Sequence, residues 1–456
     1  MLYNWIHDLF RKSPDSLRKL VTAIPIRYRL GGDDFSSEWQ LLQRSEQWGE
    51  HRLKQLQRDR LSDLLQHAVD NVPYYSDIEL FHDNPFDNLQ EFPIITKKDI
   101  QENRELFQAV NIPDHKTHEV TTGGTSGNPF RFRLDNSVYG REWAFIMTGW
   151  KRVGYSPGDK MVSFRGVEFP DADKGVYWQF NPFYNSYEMS PFHMNDATLP
   201  RYIEKIQSES PRYIHGYPSA ITTLASYVKQ NDITIPSVQA IFAASENIYD
   251  HQRKLMEDVF DVRVFSHYGL SEKAILAAEC EQNTTYHVYP QYCVPEVVDS
   301  TGEPVSHGET GEILGTSLLN YSMPFIRYQT GDMGSLSPDT CECGRAYPIF
   351  QEVTGKNEKE LPVVKDDGTT FPLHSLYYTM HGDTLENVYS VQFYQEQPGE
   401  IEIRVEVTST FDDVDKQRIL EDVRRKCGNQ INATLVKGVE LTDSGKQKLF
   451  IRNIDS

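Results

Sequence analysis

Apolar positions recur at helical intervals between Glu38 and Val69. Leu53, Leu56, Leu61, Leu64, Leu65 and Ala68 stand among charged residues, which predicts a helix ended by Asn71-Val72-Pro73-Tyr74-Tyr75. Upstream, Met1 to Leu30 is mildly amphipathic. Trp5, Ile6, Leu9, Phe10, Leu17, Leu20 and Val21 alternate with Arg11, Lys12, Arg18 and Lys19. That stretch reads as a terminal helix packed on its own domain or as a segment touching a membrane surface. Ile95-Thr96-Lys97-Lys98-Asp99-Ile100 reads as a short helix start, and Phe130 to Leu134 alternates like a strand.

From Asp159 to about Ala278, short apolar runs at 161–164 and 240–243 alternate with helical stretches at 202–208, 220–229 and 251–259. Such alternation predicts an α/β layered domain. Strands dominate from His287 to Leu336, with Glu296–Asp299 and Glu312–Leu314 flanking a turn at Ser300-Thr301-Gly302-Glu303. A densely charged segment with one glycine, Thr354 to Glu360, marks a boundary. Beyond it the pattern predicts strands at 389–394, 401–407 and 435–441 and a helix at 414–427. The expected fold is therefore a large layered α/β domain over residues 1–354 and a small α+β domain over 355–456.

Composition narrows the partners. A net charge of -20 argues against general binding to nucleic acid or anionic membrane, while leaving room for a local basic pocket. Five cysteines make no disulfide framework, no apolar run has the length of a membrane span, and Met1–Leu20 carries Asp8 within no continuous apolar core. The expected compartment is the reducing cytoplasm.

The densest chemistry lies in Thr121-Thr122-Gly123-Gly124-Thr125-Ser126-Gly127-Asn128-Pro129. Glycines let backbone N–H groups converge on an anion, and the hydroxyls add uncharged donors. The stretch lacks the Lys of a Walker loop; it reads as a polyphosphate cradle or as a flexible turn between strands. Three further segments carry candidates. His267-Tyr268-Gly269-Leu270-Ser271-Glu272 offers an aromatic face for a purine at Tyr268-Gly269 and, in Glu272, a hard oxygen for Mg²⁺. Pro324 to Asp332 holds Arg327 and an aspartate, Asp332, able to accept from both ribose hydroxyls. Thr442-Asp443-Ser444-Gly445-Lys446 places a lysine on a glycine turn, a point charge for a phosphate or carboxylate. Ordinary turn chemistry explains each one alone. It does not explain all four in this order.

The cysteines form a second constellation. Cys280, His287, Cys341 and Cys343 make a Cys₃His set suited to tetrahedral Zn²⁺, or four ordinary reduced side chains; Cys293 is a possible substitute ligand and Cys427 belongs to a buried helix.

The order of Thr-Gly-Gly-Thr-Ser-Gly-x-Pro, Tyr-Gly-Leu-Ser-Glu, Arg-Tyr-x-Thr-Gly-Asp and Ser-Gly-Lys resembles the adenylate-forming (ANL) superfamily. Within it the chain is most similar to the phenylacetate–CoA ligase-like branch, especially its CapK-type members found with surface-polysaccharide genes. The likeness runs from about residue 35 to 452. It implies a carboxylate attacking the α-phosphorus of Mg·ATP, then transfer of the acyl group to a thiol or an amine. By motif match, Thr122, Gly123, Gly124, Thr125, Ser126 and Gly127 would hold the phosphates. Tyr268 with Gly269 would face the adenine, Glu272 the Mg²⁺ and Asp332 the ribose, with Arg327 near the nucleotide. Lys446 would bridge the carboxylate and the α-phosphate.

The resemblance also implies a mobile C-terminal lid hinged at Glu358. Lys356 stands where the family usually has a nucleotide-contacting arginine, and a lysine supplies no bidentate fork. Tyr213, His215, Gly216 and Tyr217 match the segment lining the acyl pocket. The aromatic run 177–184 and His193 lie nearby in sequence. Similar Cys/His placements in the branch favour a structural Zn²⁺. The expected activity is an ATP-dependent acid ligase acting on a small carboxylic acid with CoA. The alternative passes the adenylate to an amine, a sugar or a carrier protein in surface-polysaccharide assembly. No nucleic acid and no membrane span are expected, and a homodimer is left open. A non-catalytic scaffold is the rival from another class; Lys446, Glu272 and Asp332 count against it.

Overall fold

The computed structural model describes residues 15–122, 130–166, 169, 172–355, 362–371, 373, 380, 382–385 and 387–454. In it the leucine-rich stretch forms two helices, α1 (Asp33–Ser45) and α2 (Glu50–Asn71). Gly49 is the N-cap of α2, in an extended conformation, so the expected single helix breaks there. The apolar repeat does not reveal the break because Leu53, Leu61, Leu64, Leu65 and Ala68 all lie on one buried face of α2. The predicted stop is real: Val72 caps α2 in an extended conformation ahead of Pro73.

Strands β1 (Thr117–Thr122) and β2 (Phe130–Asp135) pair antiparallel with Thr122 opposite Phe130. Phe130, Phe132 and Leu134 are buried and alternate with arginines, as a half-buried strand requires. Helix α3 (Asn136–Lys151) follows.

Next come β3 (Met161–Phe164), β4 (Trp178–Asn181), β5 (Ser186–Met189), β6 (Tyr213–Gly216) and β7 (Ala240–Ala244). Their order is β7-β6-β3-β5-β4; all are parallel to their neighbours except β4. Helices α4 (Leu199–Glu209), α5 (Pro218–Gln230) and α6 (Asp250–Phe260) alternate with them. β3, β6 and β7 are buried along their whole length, as parallel strands covered on both faces must be. Val162, Phe164, Ile214, Ile241, Tyr202, Ile221 and Leu224 form their core.

An antiparallel group follows: β8 (Arg263–Gly269), β9 (Leu276–Ala278), β10 (Tyr286–Val288), β11 (Cys293–Val298), β12 (Gly311–Ser317), β13 (Tyr328–Leu336) and β14 (Ile349–Gly355). The order is β11-β12-β13-β14-β10-β9-β8. The C-terminal stretch adds a short pair, β15 (Val363–Val364) and β16 (Thr370–Phe371). It also builds a four-stranded sheet from β17 (Val388–Gln395), β18 (Glu400–Val407), β19 (Asn432–Lys437) and β20 (Phe450–Arg452), ordered β19-β18-β17-β20. Helix α7 (Asp413–Cys427) is fixed at its start by an Asp412 capping box. Phe393, Ile401, Ile403, Val405, Ile419, Val423 and Phe450 give this α+β element a core of its own. The last predicted strand ends earlier than expected. Gly438, at φ +100°, turns the chain away after Lys437.

Two compact units emerge. One combines Met1–Ala23, Gly158–Val264 and Gly355–Ser456; the other combines Ile24–Pro157 and Phe265–Thr354. Within the first, Tyr389 of β17 sits in the core around β3–β7 and hydrogen-bonds the Asp196 carboxylate.

Candidate active site

In the second unit, β8 and β13 bring two carboxylates under the control of two tyrosines. Tyr268, near the end of β8, donates its phenol proton to Asp332 Oδ2 over 2.8 Å. Tyr328, the first residue of β13, donates to Glu272 Oε1 over 3.3 Å. Burial and then the facing Asp332 push the Tyr268 phenol well above its ordinary value, so it stays a donor. Tyr328 is raised for the same kind of reason: burial first, then Glu272, with Asp332 adding to it. Both carboxylates therefore act on one phenol, although they stand sixty positions apart in sequence. Gly331, at φ +81°, lies within β13 where its register against β12 shifts, next to Asp332. Glu272 keeps lone pairs beyond the phenol contact, which fits a hard cation such as Mg²⁺. The edge of the Tyr268 ring meets Phe350 at 86°.

Arg327 has a different setting. It is buried at φ +50°, and its guanidinium pairs with Glu296 at 3.2 Å while donating to the Phe92 carbonyl at 3.2 Å. Its backbone N–H donates to Thr316 Oγ1 at 2.9 Å. These partners give the guanidinium a complete structural role. Replacing Arg327 with alanine leaves the half-buried Glu296 without its cation, a loss below the about 3–5 kcal/mol of a fully buried pair. Urea denaturation should show the midpoint falling.

In the first unit, Lys446 lies on the turn at Gly445 (φ +74°) with its ammonium 5.9 Å from the Tyr217 ring. Burial lowers its pKa from 10.5, Arg165 lowers it further, and Glu246 opposes both. A lysine that must be cationic to work loses activity as pH rises through its pKa. The lysine-dependent step should therefore decline on the alkaline side with a midpoint below 10.5, in kcat/KM against pH.

Glu246 escapes the sequence reading. It follows β7, where a polar residue after an all-apolar parallel strand sits at the carboxyl end that ligands favour in such sheets. The pattern Ala244-Ser245-Glu246 is the signal that could have found it. Its carboxylate accepts from Ser219 N–H at 3.0 Å, Ser219 Oγ at 3.1 Å and Gln447 N–H at 2.8 Å. Nearby, Arg165 donates to Ser245 Oγ at 3.0 Å.

The acyl-pocket candidates split across β6. Tyr213 is buried and stacks on Phe242, and His215 Nδ1 lies 3.1 Å from Ser163 Oγ. Gly216 is packed so closely on β3 that a Cβ would lie 2.3 Å from the Phe164 carbonyl oxygen. Tyr217 turns towards the lysine loop and donates to the Ser444 carbonyl at 2.9 Å. His193 stacks on Tyr177 and meets Ser190 Oγ at 2.8 Å. Gly123 to Gly127, Lys356 and Glu358 lie outside the described residues, as does the side chain of Thr122.

The Cys/His set does come together. The ligand atoms of Cys280, His287, Cys341 and Cys343 all lie within 4.8 Å of one another. Cys280 Sγ is 3.6 Å from Cys341 Sγ, and Cys343 Sγ is 3.3 Å from His287 Nε2. Ligands about 2.0–2.3 Å from a tetrahedral zinc have edges of this size. His287 Nδ1 faces the Thr285 carbonyl at 3.3 Å, which makes Nε2, beside the Cys343 sulfur, the nitrogen to bind a metal. Burial, then the cations Arg152 and Arg345, hold its pKa down to about 4. Cys293 lies elsewhere, hydrogen-bonded to the Tyr289 carbonyl, and Cys427 is buried in α7.

Comparison with known proteins meets this geometry from three sides. Residues 375–453 match the CapK C-terminal domain model. Over 424 residues the chain is 24% identical to Protein CapK of Staphylococcus aureus, covering 88% of this chain and 90% of that one. It is 26% identical to the phenylacetate-coenzyme A ligase of Thermus thermophilus over 68% of this chain and 72% of that one. Among solved structures, 2-hydroxyisobutyryl-CoA ligase in its postadenylation state superposes with a TM-score of 0.67 at 16% identity, over 90% and 91% of the two chains. The chain is thus similar to CapK and to phenylacetate–CoA ligases, and it shares the fold of an adenylate-forming CoA ligase. Tyr268, Glu272, Asp332 and Lys446 are the residues that the sequence motifs singled out. Glu246, Ser219 and Arg165 are neighbours that the motifs did not name. Among the described residues no helix is long and apolar enough to cross a membrane.

Proposed function

We propose that this protein is an ATP-dependent acid ligase that activates a small carboxylic acid as its acyl-adenylate and hands the acyl group to CoA. The observation that carries the reading is the pairing of Tyr268 with Asp332 and of Tyr328 with Glu272 on two strands of one sheet. Two carboxylates fixed by phenols are what a ribose and a phosphate-bound cation need. Asp332 accepts from the ribose hydroxyls, and Glu272 holds Mg²⁺, which offsets phosphate charge when bound. Lys446 then contributes electrostatically: a partly desolvated cation stabilises charge where it builds up during attack on the α-phosphorus. The Gly-rich stretch Thr122–Gly127 supplies backbone donors to the phosphates, and Lys356 a point charge in place of a fork. Residues 355–456 act as the lid that carries Lys446, with Glu358 at its hinge. The Cys₃His cluster holds a structural zinc that pins the loop bearing Cys341 and Cys343.

ATP–pyrophosphate exchange against aryl, short fatty, amino and sugar acids tests this. Phenylacetate is the first probe, because relatives carry its name. Exchange with one class establishes adenylation; folded, ATP-binding protein with no exchange for any acid rejects it. A second reading keeps the first step and changes the acceptor to an amine, a sugar or a carrier protein. The likeness to CapK over residues 375–453 and over most of the chain is what supports it. Turnover with CoA but not with amines decides between the two.

A further inference from the structure

We propose that Glu246 is a positioning residue that anchors the Lys446 loop for the adenylating step; the proposal rests on the ligase reading above. The carboxylate has two kinds of partner. Ser219, in the first turn of α5, gives it a backbone N–H and a hydroxyl, where a helix start favours negative charge. Gln447, next to the lysine, gives it a second backbone N–H at 2.8 Å. Gln447 is itself a pin. Its Nε2 donates to the Val391 carbonyl of β17 at 2.6 Å, and its Oε1 accepts from Ser390. One residue thus joins the C-terminal sheet by its side chain and Glu246 by its backbone.

Close backbone packing completes the anchor. A Cβ on Gly166 would lie 1.7 Å from the Ser444 carbonyl oxygen, and one on Gly445 would lie 2.7 Å from Pro191 Cγ. Tyr217 links the two sides, accepting from Gly166 N–H at 3.4 Å and donating to Ser444 O. The loop therefore seats through backbone groups against a glycine ledge, with one carboxylate as its charged contact to Gln447. Charge-assisted bonds to backbone N–H groups are short and strong, yet they break without stripping any buried side chain from its core. Such a contact suits a loop that must be placed accurately for one step and released for the next. Glu246 also offsets the repulsion that Arg165 exerts on the ammonium.

The test compares Glu246→Ala, Glu246→Gln and Gly166→Ala in the full chain. Hydrogen exchange needs no substrate. Glu246→Ala should speed exchange at the Gln447 amide about tenfold or more, the scale of a lost charged hydrogen bond, with β18 amides unchanged. Gly166→Ala, which alters no charge, should do the same by unseating Ser444. Glu246→Gln keeps an acceptor oxygen and should lie between. With phenylacetate as the probe acid, pyrophosphate exchange should fall about 100-fold in the alanine variants, the cost of misplacing a group by an ångström. Transfer from synthetic phenylacetyl-adenylate to CoA should not fall. Unchanged protection at Gln447, or equal losses in both half-reactions, overturns the anchor. A wild-type protein that exchanges with no acid overturns the ligase reading alone, and the amide result still decides the role of Glu246.

Discussion

Lys446→Ala should lower ATP–pyrophosphate exchange by about 100- to 1000-fold, the scale seen when one preorganised charge-stabilising donor is removed from an active site. Capture of CoA by a preformed acyl-adenylate should be spared. The fold keeps an ammonium here at a cost: burial and Arg165 both press its pKa down from 10.5. Lys446→Arg should fail to restore the rate. A guanidinium spreads its charge over a planar fork and cannot replace a compact ammonium on a tight glycine turn. Single-turnover measurement of each half-reaction, alongside far-UV circular dichroism, checks the expectation. Equal exchange in wild type and Lys446→Ala would end the mechanism.

The second large effect concerns the Cys₃His cluster. Purified protein should carry about one zinc per chain, and Cys341→Ser or His287→Ala should abolish it. Metal that binds only the folded state adds about 4 kcal/mol when present at a thousand times its dissociation constant. The variants, and wild type with a strong chelator, should lose stability on that scale. The geometry supports a metal beyond the closeness of the sulfurs. His287 has its Nδ1 at the Thr285 carbonyl, and Arg345 and Arg152 stand close enough to influence it electrostatically, a setting able to offset thiolate charge. Elemental analysis with urea denaturation reads both quantities together. Metal-free protein whose stability ignores Cys343→Ser would make these four side chains ordinary core.

The parts of the site that lay open in the sequence share a physical cause. Gly331 and Gly445 both need positive φ, the first at an irregularity within β13 and the second in a turn, and Asp332 and Lys446 stand beside them because such breaks in regular backbone re-aim a side chain. Periodicity placed the helices and strands of both α/β and α+β parts to within a few residues, since burial enforces it. What stayed hidden depends on pairing across long stretches. Glu246 meets Ser219 and Gln447, 27 and 201 residues away, and nothing local announces either contact. Arg327 reads as a motif residue near the nucleotide, yet only the register of β11, β12 and β13 reveals Glu296 beside it. The break between α1 and α2 hides behind an apolar stripe that continues in phase across it.

The three-part make-up of the first unit sets an order of events during synthesis. The second unit has all of its chain once Thr354 is made, but the first waits for a piece that begins at Gly355. At about 5–20 residues per second, the ribosome needs several seconds more to deliver Tyr389, Gln447 and Lys446. Through that interval the core around β3–β7 lacks the Tyr389 ring, and Glu246 lacks the Gln447 amide. A nascent or truncated chain therefore carries the Tyr268–Asp332 and Tyr328–Glu272 pairs without the cation. On the proposed function, the lysine is the last of these groups to be delivered, and a half-made protein would have the groups proposed to hold a nucleotide before the one proposed to act on it.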